Sequence, residues 1–294
     1  MKYAFFLGCT IPARSRNYEL SARHVAQKLG VELNLVEGFM CCGFPVKGAD
    51  KQAALLMGAY NLALAQQKGL DVCTLCSSCT SALTEVSHEL EHDEVARKSI
   101  NERLAKVGLK YEGPTRVRHF ARVLYEEIGP EEIKKHIIKK LEGLRVASHY
   151  GCHYLKPSEI YDNFDQVEMP HTLDDLVALT GATVVDYANK KRCCGGPLLA
   201  VDEKTASGIT KEKLDDIQQA QAQVINLVCP FCSVMYDGNQ KSIETQFNKT
   251  YNLPVLFLTQ ILGMAMGVDR KELGLNMNIV KTKEALAAFF PAEE

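Results

Sequence analysis

The sequence CCGFP at residues 41–45 returns as CCGGP at residues 193–197. Adjacent cysteines direct their side chains apart, and a disulfide between neighbours is strained. The glycine after each pair lets the backbone approach a bulky group closely. Each phrase also has one cysteine upstream and a C-x-x-C motif downstream, so the chain contains an internal repeat.

Aligning the two copies assigns ten of the eleven cysteines to two sets of five. The C-x-x-C motif begins 34 positions after Cys42 in the first copy and 35 positions after Cys194 in the second. If Cys73 and Cys76 formed the first C-x-x-C pair, the step from Cys42 would shrink to 31. The first set is Cys9, Cys41, Cys42, Cys76 and Cys79, and the second set is Cys152, Cys193, Cys194, Cys229 and Cys232.

The composition predicts a soluble globular protein of the cytoplasm. The chain has 294 residues, 46% of them hydrophobic and 24% charged, which is enough for one or two cores of domain size. A net charge of −2 and the lack of a basic run interleaved with aromatic residues argue against nucleic-acid binding. No apolar run reaches the length of a membrane span, and the N-terminus lacks a signal peptide pattern, so direct membrane insertion is not expected. In a reducing compartment, many cysteines indicate metal or redox chemistry.

Each copy has the pattern strand, helix, strand, helix, strand. In the first copy we expect strands at residues 2–7, 31–36 and 70–75, with helices at 18–29 and from the cap Asp50 to Gly69. In the second we expect strands at 144–149, 183–187 and 224–228, with helices at 173–179 and 210–220. Residues 83–141 are predicted to be largely helical, and a helix at 116–128 corresponds to one at 259–266.

This pattern predicts an α/β fold of two pseudo-symmetric Rossmann-like halves with parallel sheets. The expected domains are residues 1–142, a first repeat with a helical insertion, and residues 143–294, a second repeat with a C-terminal tail. Each cysteine of the two sets follows the C-terminal end of a strand, which is the edge where open α/β sheets bind ligands. The fold therefore predicts cysteine clusters at these edges.

Five thiols per set favour an iron–sulfur cluster over zinc. A structural zinc site is closed by four ligands, so one cysteine would be idle in each set. A cluster of several irons offers more positions and binds thiolates. Zinc and unmetallated thiols remain the alternatives. Cys73, between apolar neighbours, is predicted to be a small buried residue of a strand, although it is also the one thiol left over for thiol–disulfide exchange.

The double pattern C…CCG…C-x-x-C, together with FLGC at residues 6–9 and CCGFP at 41–45, resembles the B subunit of heterodisulfide reductase, a CCG-repeat cysteine-rich protein. That protein catalyses reduction of the mixed disulfide of coenzyme M and coenzyme B in methanogenesis. The resemblance covers nearly the whole chain. The repeat is shared with iron–sulfur subunits of glycolate and lactate oxidases and with a variant succinate dehydrogenase subunit.

The resemblance implies two noncubane 4Fe–4S clusters, each held by one set of five cysteines, and the substrate CoM-S-S-CoB. The partners that it implies are a ferredoxin-like C subunit, a flavin-bearing A subunit, and a hydrogenase or formate dehydrogenase in a larger complex. No G-x-G-x-x-G or P-loop phosphate motif occurs in the chain, so flavin or nucleotide is not expected here.

Two clusters suggest homolytic cleavage of the disulfide. Reduction needs two electrons and a cluster passes one at a time, so each cluster would deliver one electron and take up one sulfur on an iron. A second reduction with protonation would release two thiols. The alternative function is an iron–sulfur electron-transfer subunit of a 2-hydroxy-acid oxidase or quinone-linked dehydrogenase.

An acidic substrate predicts cations beside the clusters. Candidates on the cysteine-bearing loops are Lys47, Arg14, Lys156 and Arg192, with Lys190 and Lys191 next to the last of these. The alternative for each is a solvated surface charge. His153, directly after Cys152, is a possible proton donor because its unperturbed pKa lies near 6.5, and the alternative is a packing role.

Overall fold

The computed structural model describes residues 1–290 and contains two parallel four-stranded sheets. The first has the order β2-β1-β3-β4, from β1 (Lys2–Phe6), β2 (Glu32–Leu35), β3 (Asp71–Thr74) and β4 (Val117–His119). The second has the order β6-β5-β7-β8, from β5 (Arg145–Ser148), β6 (Thr183–Val184), β7 (Val224–Leu227) and β8 (Val255–Phe257). The shared order and direction confirm the predicted α/β fold of two similar halves.

Helices surround both sheets. In the first half they are α1 (Thr10–Arg14), α2 (Arg16–Lys28), α3 (Lys51–Gln67), α4 (Ser77–His92), α5 (Glu94–Leu104), α6 (Phe120–Arg122) with a π-helical continuation (Val123–Ile128), and α7 (Pro130–Lys135). In the second they are α8 (Thr172–Ala178), α9 (Glu203–Gln219), α10 (Pro230–Ser233) with a π-helical continuation (Val234–Gly238), α11 (Gln240–Phe247) and α12 (Leu258–Ala265). Short 3-10 turns lie at Ala105–Val107, Glu159–Tyr161, Gly196–Leu198, Leu275–Met277 and Ala287–Phe289.

The helices that follow the cysteine pairs begin with the same cap. The Asp50 carboxylate accepts a hydrogen bond from the Ala53 N–H at 2.9 Å, as the sequence predicts for α3. In the second half the Asp202 carboxylate accepts from the Thr205 N–H at 3.0 Å. Helix α9 therefore begins at residue 203, and the prediction of a start at residue 210 was wrong.

The fourth strand of each sheet was missed. Residues 117–119 form β4 beside β3, and the helix expected from residue 116 begins only at residue 120. Residues 255–257 form β8 in the corresponding position beside β7. A three-residue strand is too short to show alternation, so residues 117–119 were assigned to the helix that follows and residues 255–257 were assigned to no element.

Elements from both halves pack against each other in one hydrophobic core. The rings of Tyr18 on α2 and Phe257 on β8 stack with centroids 3.9 Å apart. His119 at the end of β4 reaches across to the Val228 carbonyl oxygen, 2.8 Å from its Nε2. The expected division after residue 142 falls between β4 and β5 and stays a prediction, because the core continues across it.

The second copy has a longer segment after its first cysteine. Part of this segment packs on the first half around the buried Arg122. The guanidinium of Arg122 lies 4.2 Å from the centroid of the Phe164 ring and 3.5 Å from the Asp162 carboxylate. The same carboxylate pairs with Arg118 at 2.9 Å, so the added residues bind the halves together.

Over residues 1–290, no helix combines the length and the apolar character that a bilayer crossing requires.

Candidate functional site

The same backbone contact places both cysteine pairs. Gly43 and Gly195 have φ angles of +89° and +85°, a region that side-chain-bearing residues rarely adopt. A Cβ at Gly43 would lie 2.8 Å from the Ala54 carbonyl oxygen, and one at Gly195 would lie 2.6 Å from that of Ala206. Each CCG loop therefore rests directly on the first turn of the helix that follows it.

The first cysteine of each set follows a second glycine turn. Gly8 and Gly151 have φ angles of +64° and +68° just past β1 and β5. A Cβ at Gly8 would lie 3.0 Å from the Sγ of Cys79, so the turn places the Cys9 segment against the C-x-x-C motif. The motifs themselves begin helices α4 and α10 at the ends of β3 and β7.

These turns gather the predicted cysteines into one row. Successive thiols interact in the order Cys41, Cys42, Cys79, Cys76, Cys229, Cys232, Cys194, Cys193 and Cys152. In the middle, Cys76 and Cys229 bring their Sγ atoms within 4.0 Å across the two halves. Cys9 lies at the first-half end, near enough to raise the pKa of Cys41. The structure thus brings all ten predicted ligands together.

The crowded thiols share protons. The hydrogen bond from Cys41 lowers the pKa of Cys42 to about 4. Hydrogen bonds from Cys232 and Cys76 lower the pKa of Cys229, whereas the hydrogen bond to Cys42 and burial raise the pKa of Cys79. Because so many buried thiolates repel one another, full ionisation requires cations among them. The donor set of free thiols therefore fits an iron–sulfur group in each half.

Cys73 lies outside this row. It is fully buried within β3, and burial and then Glu127 raise its pKa. No other thiol contributes to that shift, unlike the shifts of the nine thiols that interact in the row. Its predicted structural role fits this position.

His153 lies where the halves meet. Its Nδ1 is 3.1 Å from the Ser81 hydroxyl, and its ring packs edge-on against Phe44 at a centroid distance of 4.8 Å. Burial lowers its pKa. Both contacts come from the first half, whereas Cys152 and Phe231 of the second half line a cleft together with His153. Its role as a proton donor stays a prediction.

The predicted cations lie around the site in different settings. Lys47 forms an ion pair with Glu85 beside Cys42. Arg192 pairs with Glu212 at 2.8 Å on the surface. Arg14 and Lys156 are exposed, and Lys190 and Lys191 pair with Asp174 and Glu168, respectively. Their contact with substrate stays a prediction.

Two polar residues beneath the second set were missed by the sequence analysis. His149 is fully buried at the end of β5, and its Nε2 lies with the Sγ atoms of Cys194 and Cys232 in a group no more than 4.8 Å across. Lys213 of α9 is also buried, with its Nζ 3.1 Å from the His149 Nδ1. Burial lowers the pKa of Lys213 to about 8 and that of His149 well below its usual value. The sequence did signal His149, because the aligned phrases FLGC at residues 6–9 and HYGC at residues 149–152 differ by a histidine in place of a phenylalanine.

Comparison with known proteins agrees with the repeat. The CCG family, described as a cysteine-rich domain, matches residues 3–84 and 146–237. The B subunit of a CoB-CoM heterodisulfide reductase from Methanosarcina acetivorans, named as ferredoxin/F420H2-dependent, is 35% identical over 98% of this chain and 97% of its own. The 8-methylmenaquinol:fumarate reductase membrane anchor subunit of Wolinella succinogenes is 34% identical over 95% of this chain and 97% of its own.

A solved structure shares the fold. A hypothetical protein from Helicobacter pylori superposes with a TM-score of 0.77 at 18% identity, covering 95% of this chain and 52% of that one. This chain therefore spans about half of that structure.

Proposed function

The chain belongs to the CCG cysteine-rich family, together with the B subunits of heterodisulfide reductases, and on that premise we propose that it is the disulfide-reducing subunit of such a reductase. The proposed reaction converts the coenzyme M–coenzyme B disulfide into two thiols. The observation that carries the proposal is the row of thiols, in which the five cysteines of each half lie on either side of the buried Cys76–Cys229 contact.

The two cysteine sets would hold one 4Fe–4S cluster each, of the noncubane type that the resemblance implies. When bound, the clusters would supply the two electrons that reduce the two sulfurs of the homolytically cleaved disulfide to thiolates, one electron from each cluster. The glycines at positions 43 and 195 hold the two cysteine pairs directly against their helices, which would help to preorganise both sets.

Other residues would bind the substrate and deliver protons. Phe44 and Phe231 line two clefts at the thiol row and would exclude water from it. His153, held by Ser81, would donate a proton to a product thiolate. Lys47, Arg14, Lys156 and Arg192 would attract the acidic groups of the disulfide.

Electrons would enter from other proteins of a complex. We propose a ferredoxin-like C subunit, together with a flavin-bearing A subunit, for this role, supplied by a hydrogenase or formate dehydrogenase. The cytoplasmic location also stays part of the proposal.

The second candidate is an electron-transfer subunit without a bound disulfide. The observation that favours it is the 34% identity to the fumarate reductase subunit of W. succinogenes, which extends over nearly the same length as the match to the heterodisulfide reductase of M. acetivorans. Either function would use the same ten cysteines.

Metal analysis after anaerobic purification tests the premise first. We expect about eight irons and as many acid-labile sulfides per chain, since two 4Fe–4S clusters hold that number. About two zincs without sulfide, as in closed structural sites, would instead indicate an assembly module.

The disulfide itself then separates the two functions. Adding CoM-S-S-CoB to the reduced protein should oxidise it and release both thiols, whereas an electron relay would stay reduced. The Cys42→Ser and Cys194→Ser variants should each lose one cluster and most turnover. Full turnover by a variant with one cluster would contradict cleavage by two one-electron centres.

A further inference from the structure

His149 has a buried polar atom without a partner. The side chain is fully buried, and its Nε2 has no hydrogen-bond partner among residues 1–290. The Sγ atoms of Cys194 and Cys232 of the second set lie with this nitrogen in a group no more than 4.8 Å across. Since buried polar groups in native proteins are nearly always paired, this atom indicates a missing partner on the side of these thiols.

Lys213 determines which nitrogen of His149 carries the proton. An ammonium group has three N–H donors and no acceptor. The Nζ of Lys213 lies 3.3 Å from the Lys190 carbonyl oxygen, 2.5 Å from that of Arg192 and 3.1 Å from the His149 Nδ1. The Nδ1 atom must therefore accept, and the remaining ring nitrogen of His149 is an N–H donor directed at the second set.

The first set lacks both features. Phe6 occupies the position of His149 in the aligned FLGC and HYGC phrases. Asn61 occupies the position of Lys213, 19 residues after the second cysteine of the pair in each half. The neutral Asn61 side chain holds the loop of the first cysteine pair. Its amide N–H donates to the Cys41 carbonyl oxygen at 3.2 Å, and its amide oxygen accepts from the Met40 N–H at 2.9 Å.

We propose that His149 and Lys213 make the group bound by the second cysteine set the more easily reduced of the two. A reduced cluster carries one more negative charge, which a buried ammonium and an N–H donor to sulfur both stabilise. An electron from a low-potential donor would therefore reside at the second set before the first. The inference rests on the proposed function, since both sets must hold clusters. His149 and Lys213 are positioning residues in this account, because they act on the bound group and not on the substrate.

A reductive titration of the full-length protein, followed by electron paramagnetic resonance, tests the inference. In the wild type we expect two one-electron steps whose equilibrium constants differ at least tenfold, which corresponds to 59 mV. His149→Phe and Lys213→Asn install the residues of the first half. Each should lower the reduction potential of the higher-potential step by a similar amount and leave the potential of the other step unchanged. His149→Gln keeps an N–H donor and should restore part of the difference. The exposed His88 on α4 provides the control, since His88→Phe should move neither step.

Several results would overturn the inference. Two coincident steps in the wild type would do so, and so would variants that shift the lower step or neither. If phenylalanine displaces the second cluster, Lys213→Asn and His149→Gln still decide the question, because an unchanged higher step in both contradicts it. Iron and sulfide are measured in every sample. A protein without clusters contradicts the proposed function, whereas a protein with two equivalent clusters contradicts only this inference.

Discussion

The two halves agree in backbone and differ in charge. Both sheets have the same strand order, and both cysteine pairs rest on the following helix through a glycine. Yet the first site has Phe6 and an exposed Cys9, whereas the second has His149, Lys213 and a half-buried Cys152. The difference teaches that the repeat fixes where the thiols lie, while a few substitutions beneath them set the electrostatic environment of each site.

The largest effect should come from the glycines that the halves share. Gly43→Ala and Gly195→Ala should each lower the free energy of unfolding by about 3 kcal/mol. About 1 kcal/mol of this comes from the positive φ, and the remainder comes from contact with a backbone oxygen that cannot move aside. Urea unfolding of the anaerobic protein measures both variants.

Gly208 is the matched control, because it lies within α9 and a Cβ there meets nothing within 4 Å. Gly208→Ala should raise stability by up to about 1 kcal/mol through helix propensity. If Gly43→Ala and Gly195→Ala differ by more than about 1 kcal/mol, the backbone equivalence of the halves fails.

A smaller effect should come from the ends of the fourth strands, where the halves use different contacts. His119 accepts from the Ala121 N–H at 3.1 Å and donates to the Val228 carbonyl, whereas Phe257 in the corresponding position stacks on Tyr18. Burial lowers the pKa of His119 to about 4, so the ring is neutral at ordinary pH. A neutral imidazole can accept a hydrogen bond at one nitrogen and donate one from the other.

His119→Phe should cost about 2 kcal/mol, since it removes a helix cap and leaves a buried carbonyl unpaired. The measurement is again urea unfolding, with His88→Phe as the exposed control. A loss below about 0.5 kcal/mol would mean that the strand ends in both halves are held by apolar packing alone.

The smallest effect on stability should come from the charges above the two sites. Lys47→Met and Arg192→Met each break a partly exposed ion pair and should change the free energy of unfolding by less than about 1 kcal/mol. Steady-state kinetics with the acidic disulfide should show about a fivefold rise in KM for Lys47→Met, which is about 1 kcal/mol. The rise should be smaller for Arg192→Met, because that side chain is 54% exposed and more screened. The reverse order would place the acidic end of the substrate above the second site.

The first three strands of each half were predicted from the sequence, whereas the assignment of the two cysteine sets as ligands stays a prediction. These strands are short segments that are either apolar or alternate apolar and polar residues, and the repeat gives each cysteine a second example for comparison. The fourth strands were missed because three residues such as Val117–His119 carry too little periodicity and become strands only by pairing with β3.

The buried pair beneath the second site illustrates the other limit of sequence. A lysine in an amphipathic helix is normally expected to be solvent-exposed, and Lys213 is buried only because the loop before the cysteine pair supplies carbonyl acceptors. That loop lies more than 20 positions away in the chain, so local pattern does not reveal it. The asymmetry at positions 6 and 149 was visible in the aligned copies, but its meaning depends on burial.

The glycine contact also constrains how such a duplicated chain can diverge. The distance from Gly43 to Ala54 and from Gly195 to Ala206 is eleven positions in both copies, because backbone touches backbone there. The segment between the first cysteine and the cysteine pair, by contrast, has 31 residues in the first copy and 40 in the second. Part of the longer segment packs on Arg122. Insertions are thus tolerated where side chains can form new contacts, and the spacing stays fixed where only a hydrogen atom fits.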